Sequence, residues 1–590
     1  MNNNSYKQAE YLSGLNEQQL DAVKCPDSIV FVSAGPGTGK THMLTSKLVY
    51  TIDTSVSPQS IVALSYTNTA ARQLGERFRN KFEQTGIRKP YKLYNGTIHS
   101  FCFKMIRSFY KDFSQIILDD EELWELAEDI HDSLKEDVST VKIMDCLKSK
   151  TVDLSPELYE SICQVKEALQ VMAIQDILVM FLNAICCDVA FQNWIKDQIT
   201  VIAVDEAQDL SDINYAILDK MLAVIPGLKI FLVGDPRQNI FEFNGGSYKN
   251  LYEFLKRHPN HIVKKLTITY RCGQAIADYV NTFQFKDCDN AKLESMCLEK
   301  GTIGIERSAS EKDEAEKVIT EVLEKGNLRN TAVLCNNLKY LGNLISLLIE
   351  KQIPYKVLGG RKQLKKHIRF LNHILRIIDS DNAYSIRKVA QYAEIDIVQD
   401  GKRKKSKFYE SDLGQKILSF RDFTNLPFSV IAAHVISDIM TNYFEEEETK
   451  EDFEAFLDCA SSFPLIADYL AAFATDREQF VQFYESDYVE CPFSNKENYL
   501  TLSTIHSAKG LEWENVYIMG LCEGNFPNPY FCDSEDPQKM EEFLNAEWKK
   551  MYVASTRAKE NLHLTYSSSI VRKGYTFRKG PSRFISFNRA

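Results

Sequence analysis

The feature that most constrains this chain is an apolar strand that turns through a glycine-rich loop into a helix. The run Ile29 to Val32 leads into Ala34-Gly35-Pro36-Gly37-Thr38-Gly39-Lys40-Thr41, after which Met43, Leu44, Lys47 and Leu48 fall on a helical pattern. This is a phosphate-binding loop in its required strand–loop–helix setting, with Ala34 where the first glycine usually stands. Gly37 and Gly39 let backbone N–H groups close around phosphates, and the helix N-terminus favours an anion. Lys40 reaches the β and γ phosphates, and Thr41 offers a hydroxyl to Mg²⁺.

Further apolar runs repeat the same βα rhythm in two groups: Ile61 to Leu64, Val201 to Val204 and Lys229 to Val233, then Thr331 to Leu334, Tyr499 to Leu502, Val516 to Met519 and Leu562 to Leu564. Between them, about Phe103 to Ile185 and Asp379 to Lys496, amphipathic helical patterns dominate. The expected fold is therefore α/β, with two parallel-sheet cores each carrying a mainly helical insertion. Composition excludes several alternatives. With 44% hydrophobic and 26% charged residues, a chain of 590 residues has the balance of a globular protein of several domains. No apolar stretch is long enough to cross a bilayer and Met1 to Leu20 is too polar for a signal peptide, so a cytoplasmic protein is expected. The 14 cysteines include no C-x-x-C pair, against zinc and iron–sulfur sites, and the net charge of −11 argues against a uniformly basic surface.

The strand Val201 to Val204 delivers Asp205-Glu206-Ala207-Gln208-Asp209. Beside a P-loop, Asp205 suits Mg²⁺ coordination and Glu206 can polarise the attacking water, so hydrolysis of a nucleotide is expected. A third strand ends in Gly234-Asp235-Pro236-Arg237-Gln238, followed by Phe241, Phe243 and Asn244. The loop, the Asp-Glu-Ala-Gln-Asp box and this segment resemble motifs I, II and III of the UvrD/Rep-type superfamily 1 DNA helicases. The other motifs follow in order: Leu15 to Val23 resembles the Q motif, Ala63 to Ala71 motif Ia, Gly96 to Phe101 motif Ib, Thr269-Tyr270-Arg271 motif IV, Thr504 to Glu512 motif V and Tyr552 to Ala558 motif VI.

The resemblance implies two RecA-like cores that clamp ATP and Mg²⁺ between them. Core 1A would comprise residues 1–102 and 186–255, insertion 1B 103–185, core 2A 256–378 and 497–590, and a reduced insertion 2B 379–496. Gln19 would contact adenine, Tyr270 would stack on it, Glu512 would lie near the ribose, Gln238 would sense the γ-phosphate, and Arg271 and Arg557 would act as arginine fingers. Tyr66, Thr67, Asn68, Thr97, His99, Phe241, Phe243, His506 and Lys509 occupy the positions that hold single-stranded DNA, with the two phenylalanines as base platforms. The sequence departs from the family at Asn244, where an arginine is common, and at His42, which stands for an arginine beside adenine. The implied activity is ATP-driven 3′ to 5′ movement on single-stranded DNA with unwinding at duplex junctions. The alternative is a DNA-sensing ATPase that regulates a separate nuclease subunit in phage defence, as the compact second insertion suggests.

Overall fold

The computed structural model describes the chain except residues 1–10, 55–59, 86–91, 112, 135–137, 150–153, 241–246, 287, 359–364, 400–401, 404, 445–446, 476–497, 529–535, 573–574 and 587–590. Two six-stranded sheets organise it. The first contains β1 (Ile29–Ala34), β2 (Ser60–Ser65), β3 (Lys92–Thr97), β4 (Val201–Val204), β5 (Lys229–Gly234) and β6 (Ile262–Leu266), in the order β3-β2-β4-β5-β1-β6. The second contains β7 (Thr302–Ser308), β8 (Thr331–Cys335), β9 (Tyr355–Leu358), β10 (Leu500–Thr504), β11 (Trp513–Ile518) and β12 (Ala558–Ser567), in the order β7-β12-β11-β8-β10-β9.

Every pairing within these two sheets is parallel. That explains why β2, β4 and β8 are apolar along nearly their whole length: a sheet covered by helices on both faces has no solvent side for polar residues to alternate onto. Because β4, β5 and β1 lie side by side and parallel, the turns that follow them open on the same, carboxyl-terminal edge of the first sheet, where the nucleotide loop sits.

The helices that shape the site are α1 (Glu17–Lys24), α2 (Lys40–Thr54), α3 (Ile98–Phe109), α4 (Asp120–Ser133), α5 (Lys366–Ser380), α6 (Ala383–Tyr392), α7 (Ile466–Thr475) and α8 (Pro537–Ser555). Local sequence starts several of them. Asn16 with Gln19, Thr97 with Ser100 and Asp119 with Glu122 form capping boxes at α1, α3 and α4. Among the described residues no single helix is long and apolar enough to cross a membrane.

Two boundaries differ from the sequence expectation. Strand β6 pairs with β1, so the first sheet runs to Leu266, past the expected limit at residue 255. Its half-buried and exposed positions alternate, with a lysine on each side, as in an edge strand, and that offers too little apolar signal to be assigned from sequence. The second insertion likewise begins before residue 379, because α5 supplies Ile368 to Ile378 to the insertion's own core.

The two helical insertions touch. Arg376 of α5 donates from Nη1 to Glu122 Oε1 of α4 at 2.5 Å, and both residues are buried, at 4% and 2% exposure. Around this pair Arg369 binds Glu121 and Glu125, Arg387 binds Asp129, and Lys388 binds Glu125. Asn382 Nδ2 donates to the carbonyls of Leu169 and Gln170, and Tyr384 of α6 packs into the core of the first insertion. Helix α7 closes the contact against α3, where Arg107 bonds Asp379 and the Ala467 carbonyl.

Candidate nucleotide and DNA site

The phosphate loop is braced from three sides. Gly37 and Gly39 hold φ of 70° and 77°, the left-handed region that only glycine enters without strain. A Cβ on Gly37 would lie 2.3 Å from the Arg271 Cβ, and one on Gly39 would lie 2.6 Å from Gln19 Nε2. The loop carbonyls are turned toward protein donors. Thr269 Oγ1 bonds Pro36 O at 2.9 Å, Tyr270 N bonds Gly37 O at 2.9 Å, and Gln19 Nε2 bonds Thr38 O at 2.8 Å. Thr38 closes the turn through Oγ1 to Gly35 O. Helix α2 begins at Lys40, so its first-turn N–H groups face the place where a phosphate would lie.

Lys40 Nζ stands 3.6 Å from Glu206 Oε1, and Thr41 Oγ1 donates to Asp205 Oδ2 at 3.4 Å. A hydroxyl and a buried carboxylate side by side are hard oxygen donors, and they fit Mg²⁺ with phosphate oxygens and water completing the shell. Burial and the neighbouring Glu206 push the Asp205 carboxyl up. Burial acts on Glu206 in the same sense, but Lys40, Lys509 and Arg557 outweigh it and hold Glu206 ionised. Glu206 itself has φ 54° and ψ 44°, a strained backbone for a residue with a Cβ, costing on the order of 1 kcal/mol or more. Gln208, which sequence reasoning left without a role, donates from Nε2 to Glu206 Oε2 at 2.6 Å and accepts from Asp235 N. Its place in the Asp-Glu-Ala-Gln-Asp box, two residues from the proposed base, was the available signal.

The second core brings its cations to the same cleft. Arg557, 1% exposed, donates to the carbonyls of Val553 and Leu511, to Thr556 Oγ1, and across the cleft to Gln238 Oε1 at 3.2 Å. Among the described residues no carboxylate lies within ion-pair distance of it. Burial, then Arg271, pushes its pKa down to about 9, so it stays a cation at neutral pH. Arg271 is held by Glu512, Nε to Oε2 at 2.6 Å, and by the Thr556 carbonyl. Glu512 also pairs with Lys559.

On the base side Tyr270 is 48% exposed, and its hydroxyl accepts from Asn16 Nδ2. Gln19 is buried, its Oε1 accepting from Asn16 N while its Nε2 braces the loop. His42 is exposed on the first turn of α2, and partial burial of the ring, with Lys81 and Arg77 near it, favours the neutral form.

The residues expected on DNA divide. Thr67 is exposed and caps the next helix through Ala70 N, and Tyr66 is half-buried. Thr97 spends its hydroxyl on the α3 capping box. Burial pushes His99 down to about 4, and His506 likewise with Lys550 contributing. Lys509 is 8% exposed and sits in the cleft between the cores, on the Asp209 carboxylate and, at 2.8 Å, the Gln238 carbonyl. The side chain of Asn68, and Phe241 and Phe243 entirely, lie outside the described residues.

Two RecA-like parallel sheets with a P-loop, an acidic pair and a facing arginine define a motor-type nucleotide hydrolase fold. The UvrD/REP helicase N-terminal domain family matches residues 15–170 and 142–259, and the UvrD-like helicase C-terminal domain family matches residues 441–569. The ATP-dependent DNA helicase PcrA of Staphylococcus aureus is 25% identical over 661 aligned residues, covering 97% of this chain and 86% of that protein. PcrA of Staphylococcus epidermidis is 25% identical over 655, with the same coverage. The chain belongs to the UvrD/Rep family of ATP-dependent DNA helicases.

Proposed function

We propose that this protein hydrolyses ATP to move 3′ to 5′ along single-stranded DNA and separates duplex at the junctions it meets. The observation that carries the reading is the contact of Arg557 with Gln238 across a cleft that also holds Lys40, Asp205 and Glu206. A phosphoryl-transfer transition state spreads negative charge over its equatorial oxygens, and a buried arginine that bonds no carboxylate among the described residues has that charge as its natural partner.

In this mechanism the P-loop amides and Lys40 hold the β and γ phosphates, and Tyr270 offers a ring face to the base. Thr41 and Asp205 would hold Mg²⁺, which when bound would neutralise charge on the phosphates. Glu206, aimed by Gln208 and kept ionised by the surrounding cations, accepts a proton from the attacking water. Arg557 and Arg271 stabilise the developing charge as the cores close, and Gln238 relays that closure along its own segment to Phe241 and Phe243. Tyr66, Thr67, Asn68, Thr97, His99 and His506 border the strand on this reading, while Lys509 links Asp209 to Gln238 and reports closure from within the cleft. The direction of travel is the one that the family resemblance implies.

The test is strand displacement with 3′-tailed and 5′-tailed duplexes, run beside single-strand-stimulated ATP hydrolysis. Displacement from 3′ tails only, with Glu206→Gln binding ATP but not turning it over, is the expected result. Displacement from 5′ tails alone would reject the polarity. Hydrolysis without displacement from either would favour the regulatory ATPase instead.

A further inference from the structure

Arg237, the residue before the sensor Gln238, is built into both cores at once. Its backbone N and Nε donate to Asp235 Oδ1 at 3.1 and 2.9 Å, and Nη2 reaches Asp235 Oδ2 at 3.3 Å. The other side of the guanidinium belongs to the second core. Nη1 donates to the Ala291 carbonyl at 2.7 Å, and the group lies 5.0 Å above the centre of the Tyr552 ring on α8. Asp235 and Arg237 are both buried, and Nη2 comes so close to the P-loop that a Cβ on Gly35 would stand 3.2 Å from it.

The consequence runs through the amide of Gln238. Asp235 Oδ2 accepts from Gln238 Nε2 at 3.0 Å, and Gln238 Oε1 accepts from Arg557 Nη2 at 3.2 Å. The two ends of a glutamine amide have almost the same shape, so its neighbours decide which end faces which. An ionised carboxylate only accepts, so Asp235 must take the NH₂ end, and the carbonyl end is thereby presented to the arginine. The planar fork of Arg237 lies against both Asp235 oxygens and fixes the plane of that carboxylate. The fork is in turn held by the Ala291 carbonyl and the Tyr552 face.

We infer that Arg237 is a positioning residue for ATP hydrolysis: it orients Asp235 and Gln238 so that Gln238 meets Arg557, and it ties that orientation to the second core through Ala291 and Tyr552. This rests on the reading of Arg557 as the group that stabilises the transition state. Arg237 touches neither nucleotide nor water on this account and acts only through its neighbours.

The experiment measures kcat and KM for ATP with saturating single-stranded DNA in Arg237→Met, Arg237→Lys, Arg557→Ala and the double variant Arg237→Met/Arg557→Ala, with a melting curve for each. Arg237→Met should lower kcat about tenfold or more with KM within about threefold, and Arg237→Lys, which keeps the charge and loses the fork, should fall between it and the unsubstituted protein. The double variant should be no slower than Arg557→Ala by more than about twofold, because a residue that acts through Arg557 has nothing left to act on. A kcat for Arg237→Met within about twofold of the unsubstituted protein, or losses that multiply in the double variant, would overturn the inference. Should Arg237→Met melt below the assay temperature, Arg237→Lys alone and combined with Arg557→Ala carries the same comparison. A normal kcat for Arg557→Ala would instead remove the site reading on which this stands.

Discussion

The cleft between the two cores and the contact between the two helical insertions both set cations against carboxylates, and they part company at one buried arginine. In the insertion contact every named cation meets a carboxylate: Arg376 on Glu122, Arg369 on Glu121 and Glu125, Arg387 on Asp129, Lys388 on Glu125. In the cleft, Arg557 is just as deeply buried, yet its guanidinium bonds only carbonyls, a hydroxyl and the Gln238 amide. A buried ion pair that is already satisfied holds two elements together. A buried cation without its anion is held at a cost by the rest of the fold, and a triphosphate can relieve that cost. Burial alone therefore does not distinguish Arg557 from Arg376; the kind of partner each guanidinium bonds does.

The largest expected effect would break the comparison on the side of chemistry. Arg557→Ala should reduce kcat about 10³-fold while KM for ATP stays within a few-fold, because an arginine finger acts chiefly in the closed transition state. Its melting temperature without nucleotide should fall less than that of Arg376→Ala, since no carboxylate is bonded directly to Arg557 and stranded by its loss. Steady-state kinetics and a thermal melt on one preparation check both statements. A melting loss as large as that of Arg376→Ala would mean Arg557 is a structural residue after all.

The reverse behaviour is expected of Arg376. Replacing it by alanine strands the Glu122 carboxylate and should cost about 3–5 kcal/mol, seen by urea unfolding, with ATP hydrolysis in the absence of DNA within about twofold. Replacing both partners, Arg376→Met with Glu122→Gln, should recover most of the loss, because no buried charge remains. A double variant as unstable as the single one would show that packing and not charge holds the contact.

The smallest effect sharpens the comparison through pH. Burial raises the Glu122 carboxyl, but Arg376 and the Asp119 N–H pull it down further, to about 2 against an ordinary 4.5. A carboxyl depressed by folding contributes stability that is whole above about pH 4.5 and is lost as pH falls toward 2. Unfolding followed between pH 6 and 3 should therefore decline less steeply in Glu122→Gln with Arg376→Met than in the unsubstituted protein. Identical slopes would remove Glu122 from the acid response.

The nucleotide half of the site was legible in the sequence because its parts are contiguous. The loop from Ala34 to Thr41 carries its own turn, and Asp205 and Glu206 follow a strand directly, so backbone geometry places them. Gln208 and Arg237 lie inside recognisable motifs, yet the sequence gives no sign of their partners, because each bonds a neighbouring side chain, Glu206 and Asp235, only in the folded chain. The motif of Lys509 implies a DNA contact, whereas its contacts with Asp209 and the Gln238 carbonyl emerge only from the apposition of the cores.

What the sequence determined by itself is thus the set of local structures: which strands are apolar on both faces, which turns need glycine, where helices are capped. These depend on residues within a few positions of one another, and their physics is complete at that range. The pairings on which the comparison turns join Arg376 to Glu122 across 254 residues and Arg557 to Gln238 across 319. No local preference reports such a partner. It exists only after the sheets and insertions have packed, because burial sets both the strength of a charge interaction and the cost of leaving it unmade.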